Sequence, residues 1–222
     1  MNIGLFGGTF NPLHNGHIET IKYVADKFAL EKVIFIPCAI PPHKTMTNLA
    51  SAEDRFKMVS KALNNIPKPY KFSVSDIELQ RKGPSFTIDT IREFKKIYTK
   101  STKFFFIIGS DAFLDIQTWK NFKEIFNELC VIIMLRNQTM ETKNLMEKIK
   151  SCIKTNISSN YKFNNKNNSF LHNNKKEVYI ADVPNIAVSS TIIRKYIKQG
   201  VSIEQITPHE VAKQIYEKGL YL

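Results

Sequence analysis

The sequence predicts an α/β fold, a doubly wound parallel sheet with helices on both faces. Two observations carry that expectation. Short apolar runs alternate with segments of helical period along most of the chain, the pattern of successive βαβ units. The runs at 104–108 and 129–135 are apolar throughout, as in strands covered on both sides. With 222 residues the chain can bury a full core, and residues 1–222 are read as a single domain.

Residues 3–6 form the first strand. A helix follows over about 16–28, with Ile18, Ile21, Val24, Ala25 and Phe28 on its apolar face. A second strand covers 33–37. The helix over 52–63 turns Phe56, Val59, Ala62 and Leu63 inward. A strand at 71–75 leads to a helix at 87–98 with Ile88, Ile91 and Phe94 inward. After the strands at 104–108 and 129–135 comes a last strand at 177–181. A helix then begins at Ser189-Ser190-Thr191, and a final helix spans about 208–218. In a sheet of this Rossmann-like kind, ligands sit beyond the carboxyl ends of the strands, where strand order reverses. Polar or glycine-bearing segments stand there: 7–17, Pro41-Pro42-His43-Lys44, Asp76, Gly109-Ser110-Asp111 and the Ser-Ser-Thr run.

Composition excludes several classes. The net charge of +12 suggests nucleic acid, yet half of it falls within 137–176, which holds eight lysines and ten asparagines. That stretch reads as an Asn/Lys-rich insertion, solvated and partly disordered, with no regular interleaving of aromatics, so no nucleic-acid partner is expected. The longest apolar run, 129–135, is too short to cross a bilayer, and no secretory signal is expected ahead of a strand at residue 3. Cys38, Cys130 and Cys152 are odd in number and widely spaced. Disulfides and zinc are therefore not expected, and a reducing, cytoplasmic location is.

The most specific segment is Gly7-Gly8-Thr9-Phe10-Asn11-Pro12-Leu13-His14-Asn15-Gly16-His17. Glycines after a strand let backbone approach a phosphate, and the start of the next helix favours anions. His14 and His17, three apart on the first turn, share one face directed at that anion. Neither G-x-x-x-x-G-K-[ST] nor G-x-G-x-x-G is present. The pattern reads as a nucleoside-triphosphate site. The H-x-G-H form resembles nucleotidyltransferases of the α/β phosphodiesterase superfamily.

Further motifs narrow this: P-P-H-K, D-R-F-K-M, S-F-T-I-D-T, F-I-I-G-S-D-A-F, the single Trp119 and S-S-T-I-I-R. Together they resemble the bacterial-type nicotinate-mononucleotide adenylyltransferases over almost the whole chain except 137–176. The resemblance implies adenylyl transfer from ATP to the 5′-phosphate of nicotinate mononucleotide, giving nicotinate adenine dinucleotide and pyrophosphate. It implies that His14 and His17 hold the ATP phosphates, with Gly8, Thr9, Phe10 and Gly16 lining the cradle. Lys44 and Arg194 would supply further cations, and Ser189, Ser190 and Thr191 the donors of a second helix start. Gly109, Asp111 and Arg136 would lie on the ATP side. Trp119 would stack on the nicotinate ring, with backbone N–H groups at Thr87 and Lys120 reading its carboxylate and Asp76 near the acceptor.

The acceptor phosphate is mostly dianionic at neutral pH, since its second pKa is about 6, so no general base is needed. Mg²⁺ is expected on ATP phosphates and water, with no protein metal site. Asn11 stands where many relatives carry Asp. Alternatives are an adenylyltransferase acting on nicotinamide mononucleotide or phosphopantetheine, a cytidylyltransferase, or a non-catalytic nucleotide-binding module. ATP and nicotinate mononucleotide are the expected partners, and homo-oligomerisation stays open.

Overall fold

The two wholly apolar runs lie side by side. β4 (Lys103–Gly109) and β5 (Cys130–Arg136) pair in parallel from Phe105↔Cys130 to Gly109↔Met134, with their central side chains buried. This computed structural model describes residues 1–42, 48–136 and 139–222. The remaining strands are β1 (Asn2–Gly8), β2 (Lys32–Pro37), β3 (Phe72–Val74), β6 (Lys162–Asn164), β7 (Ser169–Leu171) and β8 (Val178–Val183). The helices are α1 (Asn15–Lys27), α2 (Ala52–Asn64), α3 (Thr87–Ile97), α4 (Ser110–Leu114), α5 (Phe122–Glu128), α6 (Thr139–Cys152), α7 (Ser190–Lys198) and α8 (His209–Lys218).

Among the described residues the sheet order is β3-β2-β1-β4-β5-β8-β7-β6. β1–β4, β2–β3, β4–β5 and β5–β8 are parallel, and the order turns between β1 and β4 as a doubly wound sheet requires. β6 and β7 add an antiparallel hairpin beside β8. No helix among the described residues is long and apolar enough to cross a membrane.

Two compact units share these elements. The first comprises Met1–Phe6 and Phe86–Asn185, the second Gly7–Ser85 and Ile186–Leu222. In the first, α3 packs on α5, and the ion pairs Arg92–Glu124 and Lys95–Glu128 join them. In the second, α2 packs on β2, β3 and α8, and Gln214 of α8 donates to the Asp54 carbonyl at 3.0 Å.

The eleven elements read from sequence occur within two residues of their expected ends. Two differences are instructive. On α2 the buried positions are Arg55, Met58, Val59, Ala62 and Leu63, whereas Phe56 is only half-buried. Arginine holds a position that the helical period assigns to the apolar face.

The stretch read as partly disordered is built over 139–176. It forms α6, a π turn (Ile153–Ile157) and the hairpin, and it buries Ile149, Ile153, Ile157, Tyr161 and Phe170. Phe163 and Phe170 face each other across the hairpin with ring centroids 4.8 Å apart. Between them Asn164 Oδ1 accepts the Lys166 N–H at 3.0 Å, and Asn168 adopts φ 48°. The asparagines are turn residues, because their side chains mimic backbone and tolerate the left-handed region. Composition alone hid that role.

Candidate active site

β1 ends at Gly8, and the chain reaches α1 within seven residues. Gly8 leaves room for Phe10, whose ring would lie 3.0 Å from a Cβ at position 8. Phe10 sits at φ 47°, a conformation a bulky residue holds only where its surroundings impose it. Its ring is buried against Phe35 and meets His17 edge-on at 5.4 Å.

His14 is the N-cap of α1, extended at φ −144°, and 4 % exposed. Its backbone N–H donates to His17 Nδ1 at 3.3 Å, and the His17 N–H donates back to the His14 carbonyl at 3.0 Å. The rings stack with centroids 3.6 Å apart. Because Nδ1 of His17 accepts, its ring proton belongs on Nε2, which makes that atom a donor. Gly16 is required by space, since a Cβ there would lie 2.8 Å from Val188 Cγ1 and 3.0 Å from His14 Nδ1.

α7 starts at the same loop. Ser189 caps it, accepting from the Ile192 N–H at 3.2 Å. Ser190 Oγ donates to the Pro12 carbonyl at 2.9 Å. Arg194 Nη1 donates to the Asn11 carbonyl at 2.7 Å, and Nη2 to Thr191 Oγ1 at 3.3 Å. Asn11 is 2 % exposed and uses both ends of its amide: Nδ2 donates to the Asn48 carbonyl at 2.8 Å, and Oδ1 accepts the Ala50 N–H at 3.1 Å. Neither α1 nor α7 has an acidic residue in its first turn. Two helix starts, two imidazoles and a guanidinium without a carboxylate make a place for a polyanion. All these residues belong to the second unit.

The first unit holds the groups expected at the acceptor. Trp119 follows a 3-10 turn (Ile116–Thr118), is half-exposed, and meets Phe106 edge-on at 6.1 Å. Lys120 pairs with Asp89 of α3 at 2.8 Å and lies over the Phe86 ring at 4.8 Å. These contacts bring Lys120 to the first turn of α3, where Thr87 is the first helical residue. Asp111 lies in the first turn of α4, and its Oδ1 would lie 2.6 Å from a Cβ at Gly109, so a larger residue there would push the Asp111 carboxylate aside.

Comparison with known proteins agrees with this chemistry. Residues 5–196 match the family model described as cytidylyltransferase-like. Proteins named "Probable nicotinate-nucleotide adenylyltransferase" from Thermoanaerobacter sp. strain X514 and Desulfatibacillum aliphaticivorans are 36 % and 37 % identical. Each alignment covers 100 % of this chain and 94 % or 100 % of the relative. The chain belongs to the nicotinate-nucleotide adenylyltransferase family. Its fold is also that of Plasmodium falciparum nicotinic acid mononucleotide adenylyltransferase complexed with NaAD, at TM-score 0.72 and 19 % identity, covering 99 % of this chain and 97 % of that one.

Asp76 is exposed, and its carboxylate accepts from Gln80 Nε2 at 2.8 Å within its own turn. Lys44 lies outside the described residues. Of Arg136 the structure describes the backbone, which ends β5 opposite Val183. The sequence reading passed over Asn15, whose N–H and side-chain Nδ2 donate to the Ile206 and Gln205 carbonyls at 3.1 and 3.2 Å. One of the first N–H groups of α1 is thereby taken up by the chain. Arg55 stands within the D-R-F-K-M motif, and the sequence reading assigned it no role, although that residue falls on the apolar face of α2.

No cluster of three or more His, Cys, Asp or Glu among the described residues could hold a metal ion. The first turns of α1 and α7 carry no carboxylate of the kind that holds Mg²⁺.

Proposed function

We propose that the protein transfers the adenylyl group of ATP to the 5′-phosphate of nicotinate mononucleotide. One observation carries the reading. The stacked His14–His17 pair at the start of α1 and Arg194 on α7 grip one loop, with no acid in either first turn. The names of the full-length relatives support the acceptor.

In the reaction a 5′-phosphate oxygen attacks the α-phosphorus in line. The bond to the bridging oxygen breaks, and pyrophosphate leaves with that electron pair. No proton must be removed from a mostly ionised phosphate, so positioning and charge stabilisation are what the chain supplies. His17 Nε2–H donates to an α-phosphate oxygen, His14 and Arg194 neutralise the leaving pyrophosphate, and the 8–10 backbone lines the passage. Lys44 adds a further cation. Gly109, Asp111 and Arg136 serve the adenosine side.

Trp119 stacks on the nicotinate ring, and the N–H groups of Thr87 and Lys120 receive its carboxylate. An amide there would leave one donor facing an NH₂ group. Three free cysteines suit a reducing cytoplasm.

The test is pyrophosphate release from Mg·ATP with nicotinate mononucleotide, nicotinamide mononucleotide or phosphopantetheine in parallel. Strong preference for the first supports the proposal. Release only with another acceptor keeps the phosphate site and overturns the acceptor, and no release with any of them overturns the reaction.

A further inference from the structure

The proposed chemistry leaves one buried cation without a task. Arg55 is 0 % exposed. Its Nε donates to the Ala50 carbonyl at 3.0 Å, and Nη1 to the carbonyls of Thr9 at 2.8 Å and Cys38 at 2.6 Å. Nη2 donates to the Ala39 carbonyl at 3.1 Å. All four hydrogen-bond partners are backbone carbonyls. The buried Glu78 acts on the guanidinium only through its charge, with no salt bridge to it among the described residues.

A buried guanidinium is costly, and an apolar side chain would fill this face of α2 without that cost. What it achieves can be read from the peptides it holds. A trans peptide sends its C=O and the next N–H in opposite directions. With the Cys38 and Ala39 carbonyls held on Arg55, the Ala39 and Ile40 N–H groups turn the other way. Both reach Ser85 Oγ, at 3.0 and 3.4 Å. The same geometry governs the Thr9 carbonyl, so the Phe10 N–H faces away from Arg55. The Phe10 backbone is held in the left-handed region at that point.

We propose that Arg55 is a positioning residue for adenylyl transfer, orienting the Thr9–Phe10 peptide of the phosphate loop and the 38–40 backbone. This rests on the reading of 8–10 as the phosphate cradle. Arginine is needed because four carbonyls around one plane match a planar fork of five N–H donors. Lysine offers a single point with three.

The experiment compares Arg55→Lys, Arg55→Ala and His17→Ala with the unaltered full-length chain. It follows pyrophosphate release with Mg·ATP and nicotinate mononucleotide, and checks folding by circular dichroism. The expected result is a folded Arg55→Lys protein with kcat lowered about 10- to 100-fold and KM for the mononucleotide within about twofold. Millimolar guanidinium restores part of the Arg55→Ala rate and leaves the unaltered protein and His17→Ala unchanged. If Arg55→Ala does not fold, Arg55→Lys decides.

Arg55→Lys turnover within twofold of the unaltered protein overturns the inference, and so does an Arg55→Lys chain that fails to fold, which makes the residue purely structural. Slow His17→Ala with fast Arg55 variants removes the Arg55 role alone. Fast His17→Ala removes the cradle reading and this inference with it.

Discussion

The imidazole of His17 stacks on that of His14 at 3.6 Å between centroids while its Nδ1 accepts the His14 backbone N–H. One ring thus closes the helix start, and in the proposed reaction its Nε2–H is the donor to the phosphate. Two consequences of the same side chain are therefore linked: the geometry of the loop and the charge stabilisation of the phosphate.

Replacing His17 with Ala removes both. We expect kcat to fall about 100- to 1000-fold, as for loss of one transition-state donor, with a cooperative melting transition retained. Steady-state kinetics alongside thermal denaturation check this. Near-normal turnover would assign the α-phosphate contact elsewhere.

Arg194 bridges the Asn11 carbonyl and Thr191 with two different nitrogens. Arg194→Ala should lower kcat and raise KM for ATP, and Arg194→Lys should recover only part, because a point charge cannot span both partners. Full recovery by Lys would show that charge alone matters.

Gly16→Ala should destabilise by about 1–3 kcal/mol through overpacking against Val188 and the His14 ring. Adding Val188→Ala should return part of the stability but less of the activity, since the His14 contact remains. Denaturant titration and kinetics on the pair separate the two. A Gly16→Ala protein of unchanged midpoint would mean that Val188 yields freely.

Trp119→Ala should raise KM for the mononucleotide much more than KM for ATP. An equal rise in both would make Trp119 a structural aromatic supporting Phe106.

Asp54 joins α2 to α8. Its hydrogen bond from Lys218, aided by one from Ser51, holds the carboxyl below the usual aspartate value, against the opposing effect of burial. A folded-state pKa below the unfolded one gives stability that is present above the unfolded value, about 3.9, and lost as pH falls through the folded value. Asp54→Asn should therefore lower the urea midpoint at pH 7, and the difference should shrink as pH falls below about 3.9 toward the lowered folded value. A difference that persisted unchanged in acid would place the effect outside this ionisation.

The Asn/Lys-rich hairpin and Arg55 show where local reading ends. Phe163 and Phe170 are single apolar residues in a polar tract, and only their meeting across the turn makes them a core. Arg55 stands on the helical period of Met58, Val59, Ala62 and Leu63, yet a charged residue signals solvent until its acceptors are known. Those acceptors include Thr9, 46 positions away, and Cys38, 17 away.

By itself the sequence determined the βα alternation, the parallel sheet and the family motifs around the loop from β1 to α1. Each of these depends on period or on spacing within one turn, and local sterics and hydrogen bonding write such features into neighbouring residues. Tertiary structure alone decided that Asn15 is tied to the Gln205 and Ile206 carbonyls. It also decided that the Asn11 amide is spent on the 48–50 backbone and that Arg55 holds four carbonyls. The physical reason is common to all three. A buried polar group must be satisfied, and its partners come from whichever distant segments the packing of helices and strands brings within hydrogen-bonding reach.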